Sequence, residues 1–264
     1  TMKRPTLPEA AWCLAACIGV AAAVSSRAQL DLEGIEGAWL FDEAAGEDLS
    51  DWSGNARHGA VAGAPDWTDG KFGSALSFDG ADDWVEITGW STPELEDFTL
   101  GCWVKPADTQ KQWANIMDTH QEPPTRGVTL EMNGEITNNY YLTWGSKKGW
   151  KATRFVMQLD ADKWQHLVGV RDGDQQTLYL DGVRAGPGQV GVDPVVAGTS
   201  DFRIANWVNG DRNFRGEIDE PFLFSRALTE EEIELIGEMG LRKYLDVPPS
   251  GKLTTTWAQV KTAP

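Results

Sequence analysis

Residues 165–184 read QHLVGVRDGDQQTLYLDGVR, and this stretch decides the fold. Two short apolar runs, residues 167–170 and 177–180, are each followed by a turn that contains glycine. Runs of this kind, broken by Gly, Asp and Asn, are typical of half-buried antiparallel strands. Asp181-Gly182 is a strong signal for a two-residue hairpin, because glycine accepts the positive φ that such turns demand. Asp172-Gly173-Asp174 is a similar turn signal one strand earlier, between the two apolar runs. The stretch therefore predicts consecutive β-hairpins.

The same pattern continues outward from this stretch, over residues 37–224. Further predicted strands lie at residues 75–78, 84–87 and 98–104. The 28 glycines and 13 prolines are spread along the chain, as expected for many short elements joined by tight turns. One helix is predicted, over residues 230–238, because Thr229 can cap its first amides, Glu232 stands at the capping-box position and Gly240 ends it. The sequence thus predicts an all-β protein with one short C-terminal helix.

Composition bounds the size, order and partners of the chain. Its 264 residues suit one large all-β domain, and a hydrophobic fraction of 41% supplies a core. The net charge of −17 argues against nucleic-acid binding, since phosphate recognition needs clustered lysine and arginine. Strong acidity suits divalent cations and a salty exterior, although it also serves solubility alone.

The first 28 residues are predicted to be a secretory signal peptide. Lys3 and Arg4 precede an apolar run over residues 10–24, and Ser26-Arg27-Ala28 offers small residues for cleavage. The run is too short for a membrane-spanning helix, and a lipoprotein site at Cys17 is less favoured. Cleavage removes three basic residues and Glu9, so the net charge falls from −17 to −19. We expect a secreted or cell-surface protein, with the periplasm as an alternative, and no membrane-spanning segment after cleavage.

After cleavage the expected domain covers residues 29–244, and residues 245–264 form a tail, strap or short strand. Cys13 and Cys17 belong to the signal peptide, so Cys102 remains as the one cysteine of the mature chain. An intrachain disulfide is therefore impossible, and stability must come from packing, to which a bound metal ion could add.

Several phrases in a fixed order resemble the laminin-G-like branch of the concanavalin A-like jelly rolls. They lie at residues 39–43, 51–55, 70–80, 98–104, 164–168, 178–182 and 216–220. The resemblance covers roughly residues 37–240. It implies two packed antiparallel sheets in a jelly-roll sandwich. It does not imply one activity, because this fold hosts lectins, adhesion modules, pentraxins and glycosidases.

A calcium site is predicted at an early acidic loop. Asp51, Ser53 and Asn55 present oxygens at alternate positions, a spacing that lets a turning backbone aim several ligands at one hard cation. The resemblance implies that this loop lies near a late strand and that Ca²⁺ bridges the two. The residues nominated as ligands are Asp51, Asn55, Asp219, Asp82 and Glu220. A metal-free loop held by hydrogen bonds is the alternative, and zinc is disfavoured because the three histidines show no ligand spacing.

Enzymatic activity is not expected. A glycosidase family with this sandwich uses a strand with alternating acidic residues, and Glu217-Ile218-Asp219-Glu220 is similar to its beginning. Pro221 and Phe222, however, occupy both positions where the second glutamate should stand. Glycoside hydrolysis is therefore retained only as a lesser alternative.

A calcium-binding recognition module for an extracellular glycan is the favoured function. Aromatic faces stack on the apolar faces of sugars, and polar loops hydrogen-bond hydroxyl groups. The candidate ligand-binding residues are Trp113, Trp144, Trp150, Trp207 and Asn209, which lie in polar, loop-like surroundings. An adhesive module that binds a cell-surface protein is the alternative.

Overall fold

The structure is a computed structural model, which describes residues 29–90, 95–119, 124, 126–132, 138–152, 157–186, 189–190, 194–198 and 201–245, with the backbone alone at 189–190. The predicted signal peptide lies outside the described residues, and so does the tail beyond Leu245. Within the described residues of the chain, no helix has the length and apolar character needed to cross a membrane.

Eighteen strands and two helices are present in the described residues. The strands are β1 Ile35–Ala38, β2 Asp48–Leu49, β3 Gly59–Ala62, β4 Asp66–Asp69, β5 Ser74–Asp79, β6 Trp84–Ile87, β7 Phe98–Pro106, β8 Asn115–Asp118, β9 Val128–Met132, β10 Asn139–Ser146, β11 Gly149–Ala152, β12 Met157–Gln158, β13 Gln165–Asp172, β14 Gln175–Leu180, β15 Val183–Arg184, β16 Gln189–Val190, β17 Phe202–Ile204 and β18 Arg215–Phe224. The helices are α1 Glu230–Met239 and α2 Arg242–Leu245.

The described strands form two antiparallel sheets. The back sheet has the order β15-β14-β13-β7-β18-β5-β4, with β1 beside β18 and β16 beside β14. The front sheet has the order β11-β10-β9-β8-β17-β6-β3-β2, with β12 beside β10. This is the predicted two-sheet, all-β sandwich.

The hairpins predicted from residues 165–184 are confirmed. Strand β13 pairs with β14, from Leu167 opposite Leu180 to Asp172 opposite Gln175, and β14 continues into β15. Asp181 has a φ of 50° and Gly182 a φ of 76°. Both turn residues are thus in the left-handed region, as a two-residue turn between twisted strands requires.

The core lies between the inner faces of the two sheets. Alternation along β7 sends Phe98, Leu100, Cys102 and Val104 inward, and all four are fully buried. Burial, together with the nearby charge of Asp219, raises the pKa of the Cys102 thiol. The thiol is therefore protonated and packs as a small apolar side chain.

A second apolar layer joins α1 to the outer face of the back sheet. Ile233 and Ile236 of α1 pack in one cluster with Val168, Phe222 and Phe224 of the sheet. The predicted capping box is confirmed, because Thr229 accepts from the amide of Glu232 and Glu232 accepts from the amide of Thr229. The helix runs one residue further than predicted, to Met239, and Gly240 follows it.

Candidate functional site

A cleft opens on the outer face of the front sheet, on the side away from α1. Its volume is about 340 Å³, within the usual range for small-ligand sites. Strand alternation creates it, because Tyr140, Leu142 and Trp144 enter the core while Tyr141 and Thr143 face outward. The lining residues are Trp113, Glu131, Tyr141, Thr143, Trp150, Lys151, Ala152 and Arg212.

Glu131 lies at the centre of the cleft and is held on both carboxylate oxygens. Thr143 Oγ1 donates to Oε1 at 3.1 Å, and Arg212 Nη1 donates to Oε2 at 3.0 Å. Glu131 is only 5% exposed, so this charge-assisted pair is largely shielded from water. The carboxylate is thus a fixed acceptor in the floor of the cleft.

Polar side chains on β8 and β9 lie beside Glu131 but do not line the cleft. Thr129 Oγ1 donates to Asn115 Oδ1 at 3.2 Å, and Asn115 Nδ2 donates to Asp118 Oδ2 at 2.9 Å. All three residues are fully buried. Buried polar side chains that bond to one another have fixed orientations, so the two strands next to Glu131 are held rigidly.

Tyr141 supplies a hydroxyl group beside Glu131. Burial, and then the negative charge of Glu131, raise the pKa of the Tyr141 phenol. The phenol is therefore protonated at neutral pH and hydrogen-bonds to Glu131, which leaves its oxygen as an acceptor.

The aromatic wall of the cleft is organised by Arg212. The Arg212 guanidinium carbon lies 4.3 Å from the ring centroid of Trp207 and 5.8 Å from that of Trp113. Trp113 has a φ of 62°, a left-handed conformation that is unusual for a bulky residue. Trp150, on β11, completes the lining at the sheet edge.

Three of the four predicted tryptophans thus meet at this cleft or beside it. Trp113 and Trp150 line it, and Trp207 adjoins it through Arg212. The prediction for Trp144 is wrong, because its side chain is fully buried in the core and cannot contact a ligand. Asn209 is exposed in the turn that follows Trp207 and is not among the lining residues.

The predicted calcium loop is closed by its own hydrogen bonds. Asp51 Oδ1 accepts from the amides of Ala38 at 3.2 Å and Ser53 at 2.9 Å, and Oδ2 accepts from Ser53 Oγ and the Arg57 amide. Asn55 Nδ2 donates to the Ile35 carbonyl oxygen at 2.8 Å. Four donors therefore already contact Asp51, whereas Asn55 bonds through its amide nitrogen and not through the oxygen that a cation would contact.

Asp219 and Glu220 lie at a bulge in β18, where Glu220 has a φ of 47°. Asp219 Oδ2 accepts from the Phe72 amide at 2.9 Å, while no described group donates to Oδ1. Burial raises the pKa of Asp219 to about 8, and the charge of Glu220 adds to the effect. The unpartnered oxygen keeps Asp219 compatible with a cation.

Glu220 instead anchors the segment after α1. Its Oε2 accepts from the Leu241 amide at 2.6 Å, and burial raises the pKa of Glu220 to about 7. The Arg242 amide donates to Glu220 Oε1 at 3.4 Å, and the Arg242 side chain forms an ion pair with Asp42 at 2.6 Å and lies 5.3 Å from the ring of Trp52. The early loop and the late strand are therefore linked through an arginine.

Asp82 lies in a different acidic cluster from the other nominated ligands. Its carboxylate groups with those of Asp79 and Asp83, and among the described residues this is the one set of three potential metal ligands whose atoms lie within 4.8 Å of one another. Asp51, Asp219 and Glu220 do not form such a set. Calcium binding therefore stays a prediction.

The residues of the hydrolase alternative lie on the opposite side of the molecule from the cleft. Glu217 pairs with Lys105 at 2.9 Å on the outer face of the back sheet. The Asp219 side chain on the same strand is fully buried. Neither residue is available to the front cleft.

Sequence reasoning missed Glu131, Tyr141, Thr143, Lys151 and Arg212. The alternation in residues 139–146 could have indicated Tyr141 and Thr143 as a pair on one face. Arg212 and Glu131, which are 81 positions apart, could not have been paired from the sequence.

Solved structures with a similar fold include several binding domains. Domain 4 of AbnA, a GH43 extracellular arabinanase from Geobacillus stearothermophilus solved with arabinotriose, is 19% identical with a TM-score of 0.60, over 77% of this chain and 98% of that one. The binding domain of botulinum neurotoxin serotype G is 13% identical with a TM-score of 0.59, over 76% of this chain and 50% of that one.

The binding domain of Paraclostridial Mosquitocidal Protein 1 is 13% identical with a TM-score of 0.56, over 78% of this chain and 52% of that one. At these identities the likeness concerns the fold alone, and the match spans about half of each toxin domain. The sequence itself matches the Laminin_G_3 family over residues 79–234, more than half of the chain. The chain therefore belongs to the concanavalin A-like lectin/glucanases superfamily.

Proposed function

We propose that this protein is a secreted, non-catalytic carbohydrate-binding module and that the front cleft is its binding site. The observation that carries the proposal is the combination of an aromatic wall and a rigid polar floor in one cleft of about 340 Å³. Sugars present apolar faces and a ring of hydroxyl groups, so a site for them needs both kinds of surface.

Each region of the cleft has a role in this proposal. The rings of Trp113 and Trp150 contact the apolar faces of sugar units. Glu131 and the Tyr141 phenol oxygen accept hydrogen bonds from sugar hydroxyl groups, while the Lys151 ammonium donates them. Because Thr143 and Arg212 already hold Glu131, little side-chain freedom is lost on binding.

Binding is favoured over hydrolysis by the number of carboxylates. Glycoside hydrolysis requires two carboxyl groups on either side of the scissile bond. Among the described residues that line the cleft, Glu131 is the single acidic side chain, and it forms an ion pair with Arg212. The second carboxyl group that hydrolysis requires is therefore missing from the described lining.

The structural neighbours also favour a binding function over catalysis. The AbnA domain was solved in complex with arabinotriose, and the toxin neighbours are binding or receptor-binding domains. The arabinanase that contains the AbnA domain is extracellular, which agrees with the predicted signal peptide of this chain. An extracellular glycan is therefore the proposed partner.

Calorimetric titration with arabinotriose, together with a glycan array, tests the proposal. We expect saturable binding to at least one glycan, and Trp150→Ala should weaken it by about tenfold or more, since a stacked aromatic carries much of the binding energy. Trp164→Ala is the matched control, because Trp164 is half-buried and lies outside the cleft.

Two results would contradict the proposal. Absence of binding to every glycan on the array would favour the adhesive, protein-binding alternative. Equal affinity of the Trp150→Ala variant and the wild type would place any glycan site elsewhere.

A further inference from the structure

A second cavity lies on the opposite side of the molecule, between the outer face of the back sheet and α1. Its volume is about 350 Å³. The residues that line it are Trp103, His166, Asp181, Gly182, Ile233, Glu234, Gly237 and Glu238. None of them belongs to the front cleft, so this cavity is independent of the proposed carbohydrate site.

Two stacked rings form the floor of the cavity. The Trp103 and His166 rings lie 5.3 Å apart with an interplanar angle of 29°. His166 is 1% exposed and Trp103 is 6% exposed. Among the described residues, His166 Nδ1, His166 Nε2 and Trp103 Nε1 have no hydrogen-bond partner. Buried polar atoms almost always have partners, so three such atoms at one cavity call for a partner that the described protein groups do not supply.

The rim of the cavity is acidic. Asp181, Glu234 and Glu238 line it, and the described lining contains no lysine or arginine. Asp181 is tied to the floor, because its Oδ1 accepts from the His166 amide at 2.8 Å. Glu234 and Glu238 are exposed and one helical turn apart, so they present two carboxylates on the same side of α1.

Helix α1 breaks two local rules at this cavity. Gly237 is a poor helix former inside the helix, and a Cβ at this position would lie 3.0 Å from His166 Nδ1. Glu238 lies in the last turn, where the helix dipole disfavours negative charge and where no basic residue is present. Both departures open the cavity or add negative charge to it, and such departures are typical of functional sites.

We propose that this cavity binds a small organic cation of the ammonium or guanidinium class. The N–H groups of the cation donate to Glu234, Glu238 and one ring nitrogen of His166, and its carbon stem packs against the rings. Burial lowers the pKa of His166 to about 3, so the imidazole is neutral at physiological pH and keeps one nitrogen as an acceptor. The Trp103 ring already contacts one cation, because the Lys71 ammonium lies 4.3 Å from its centroid. Lys71 itself does not line the cavity.

The cation could come from two sources, a free small molecule or the side chain of a basic peptide. Butylguanidinium represents the first, and the peptide Gly-Arg-Gly amide represents the second. Butylurea and Gly-citrulline-Gly amide are their neutral counterparts of nearly the same shape. These four probes separate charge from shape and identify the source.

The experiment is a titration of the intact protein, prepared with isotope-labelled histidine, in which the ring nitrogen resonances of His166 are followed by NMR at constant ionic strength. We expect butylguanidinium to shift them saturably and butylurea to leave them unchanged. The double variant Glu234→Gln/Glu238→Gln should weaken binding by about tenfold or more. Glu231→Gln, an exposed change in the first turn of the same helix, should have no effect.

Gly237→Ala is the second variant, because it fills the cavity beside His166 while improving helix propensity. It should abolish the shift while the variant still melts cooperatively, which separates blocked binding from unfolding. An affinity for the arginine peptide at least tenfold above that for butylguanidinium assigns the site to a basic peptide, and equal or weaker affinity assigns it to a small molecule. No saturable shift up to about 50 mM, an equal shift with butylurea, or undiminished binding in the double variant would overturn the proposal.

Discussion

At the residue scale, the alternation of side chains between the two faces of β10 decides which of its aromatic residues can contact a ligand. Tyr141 faces the cleft, and Trp144, three positions later on the same strand, is fully buried. The sequence places the tryptophans of polar segments near the site, but a strand pattern does not say which face turns inward. Trp113 and Trp150 therefore line the cleft, and Trp144 does not.

Glu131 is predicted to be the most sensitive residue of the cleft floor. Glu131→Gln removes the charge that Arg212 pairs with and should weaken glycan binding by about tenfold. It should also lower the free energy of unfolding by about 1 kcal/mol, because the partly buried Arg212 guanidinium loses its ion-pair partner. Calorimetry and urea denaturation measure the two effects. Glu217→Gln, which breaks the Lys105 pair on the other side, should leave glycan affinity unchanged.

Asp219 is predicted to make stability fall as the pH rises. Its pKa is raised from 3.8 to about 8, so the folded state binds the proton more tightly than the unfolded state. The stabilisation is fully present below about pH 4 and is lost as the pH rises through about 8. Asp219→Asn should remove this loss, so the variant gains stability over the wild type across that range, on the order of several kcal/mol. Parallel curves for the two proteins would contradict the prediction.

At the element scale, α1 was predictable in both position and cap. Its apolar positions, Thr229, Glu232 and Gly240 are close in sequence, and local hydrogen bonds depend on nothing else. The loop around Asp51 was not predictable in the same way. Oxygens at alternate positions suit a cation and also suit the amides of a tight turn, and the sequence does not show that the Ala38 amide, from β1, reaches Asp51.

Loss of the Thr229 cap is predicted to weaken the contact between α1 and the back sheet. Thr229→Ala should lower the free energy of unfolding by about 1 kcal/mol, because the Glu232 amide loses its acceptor. Thr229→Ser keeps the hydroxyl group and should stay within about a few tenths of a kcal/mol of the wild type. Denaturant melts of the three proteins give the comparison, and equal losses in both variants would show that the cap is unimportant.

At the scale of the whole molecule, the sandwich could be predicted almost completely and the site only partially. Alternation and turn residues repeat in every strand, so many local patterns agree on one architecture. The cleft depends on pairs such as Glu131 with Arg212, and the rear cavity depends on α1 lying over His166. Such distant pairings require coordinates.

The calcium prediction concerns the whole acidic molecule, whose charge is −17. If a calcium ion binds the folded state, millimolar calcium must raise the melting temperature, and magnesium at equal ionic strength controls for screening of charge. Asp219→Asn and Asp82→Asn then show which carboxylate is involved. An unchanged melting temperature would end the calcium hypothesis.

The burial of Cys102 between the sheets has a practical consequence. A thiol reagent reaches this sulfur only after the sandwich opens, because the side chain is fully enclosed in the folded protein. In a protein that begins at residue 29, which retains no other cysteine, the labelling rate of this atom measures how often the two layers separate. The labelling rate of Cys102 therefore reports the opening of the two sheets, and a ligand bound on either face should lower that rate.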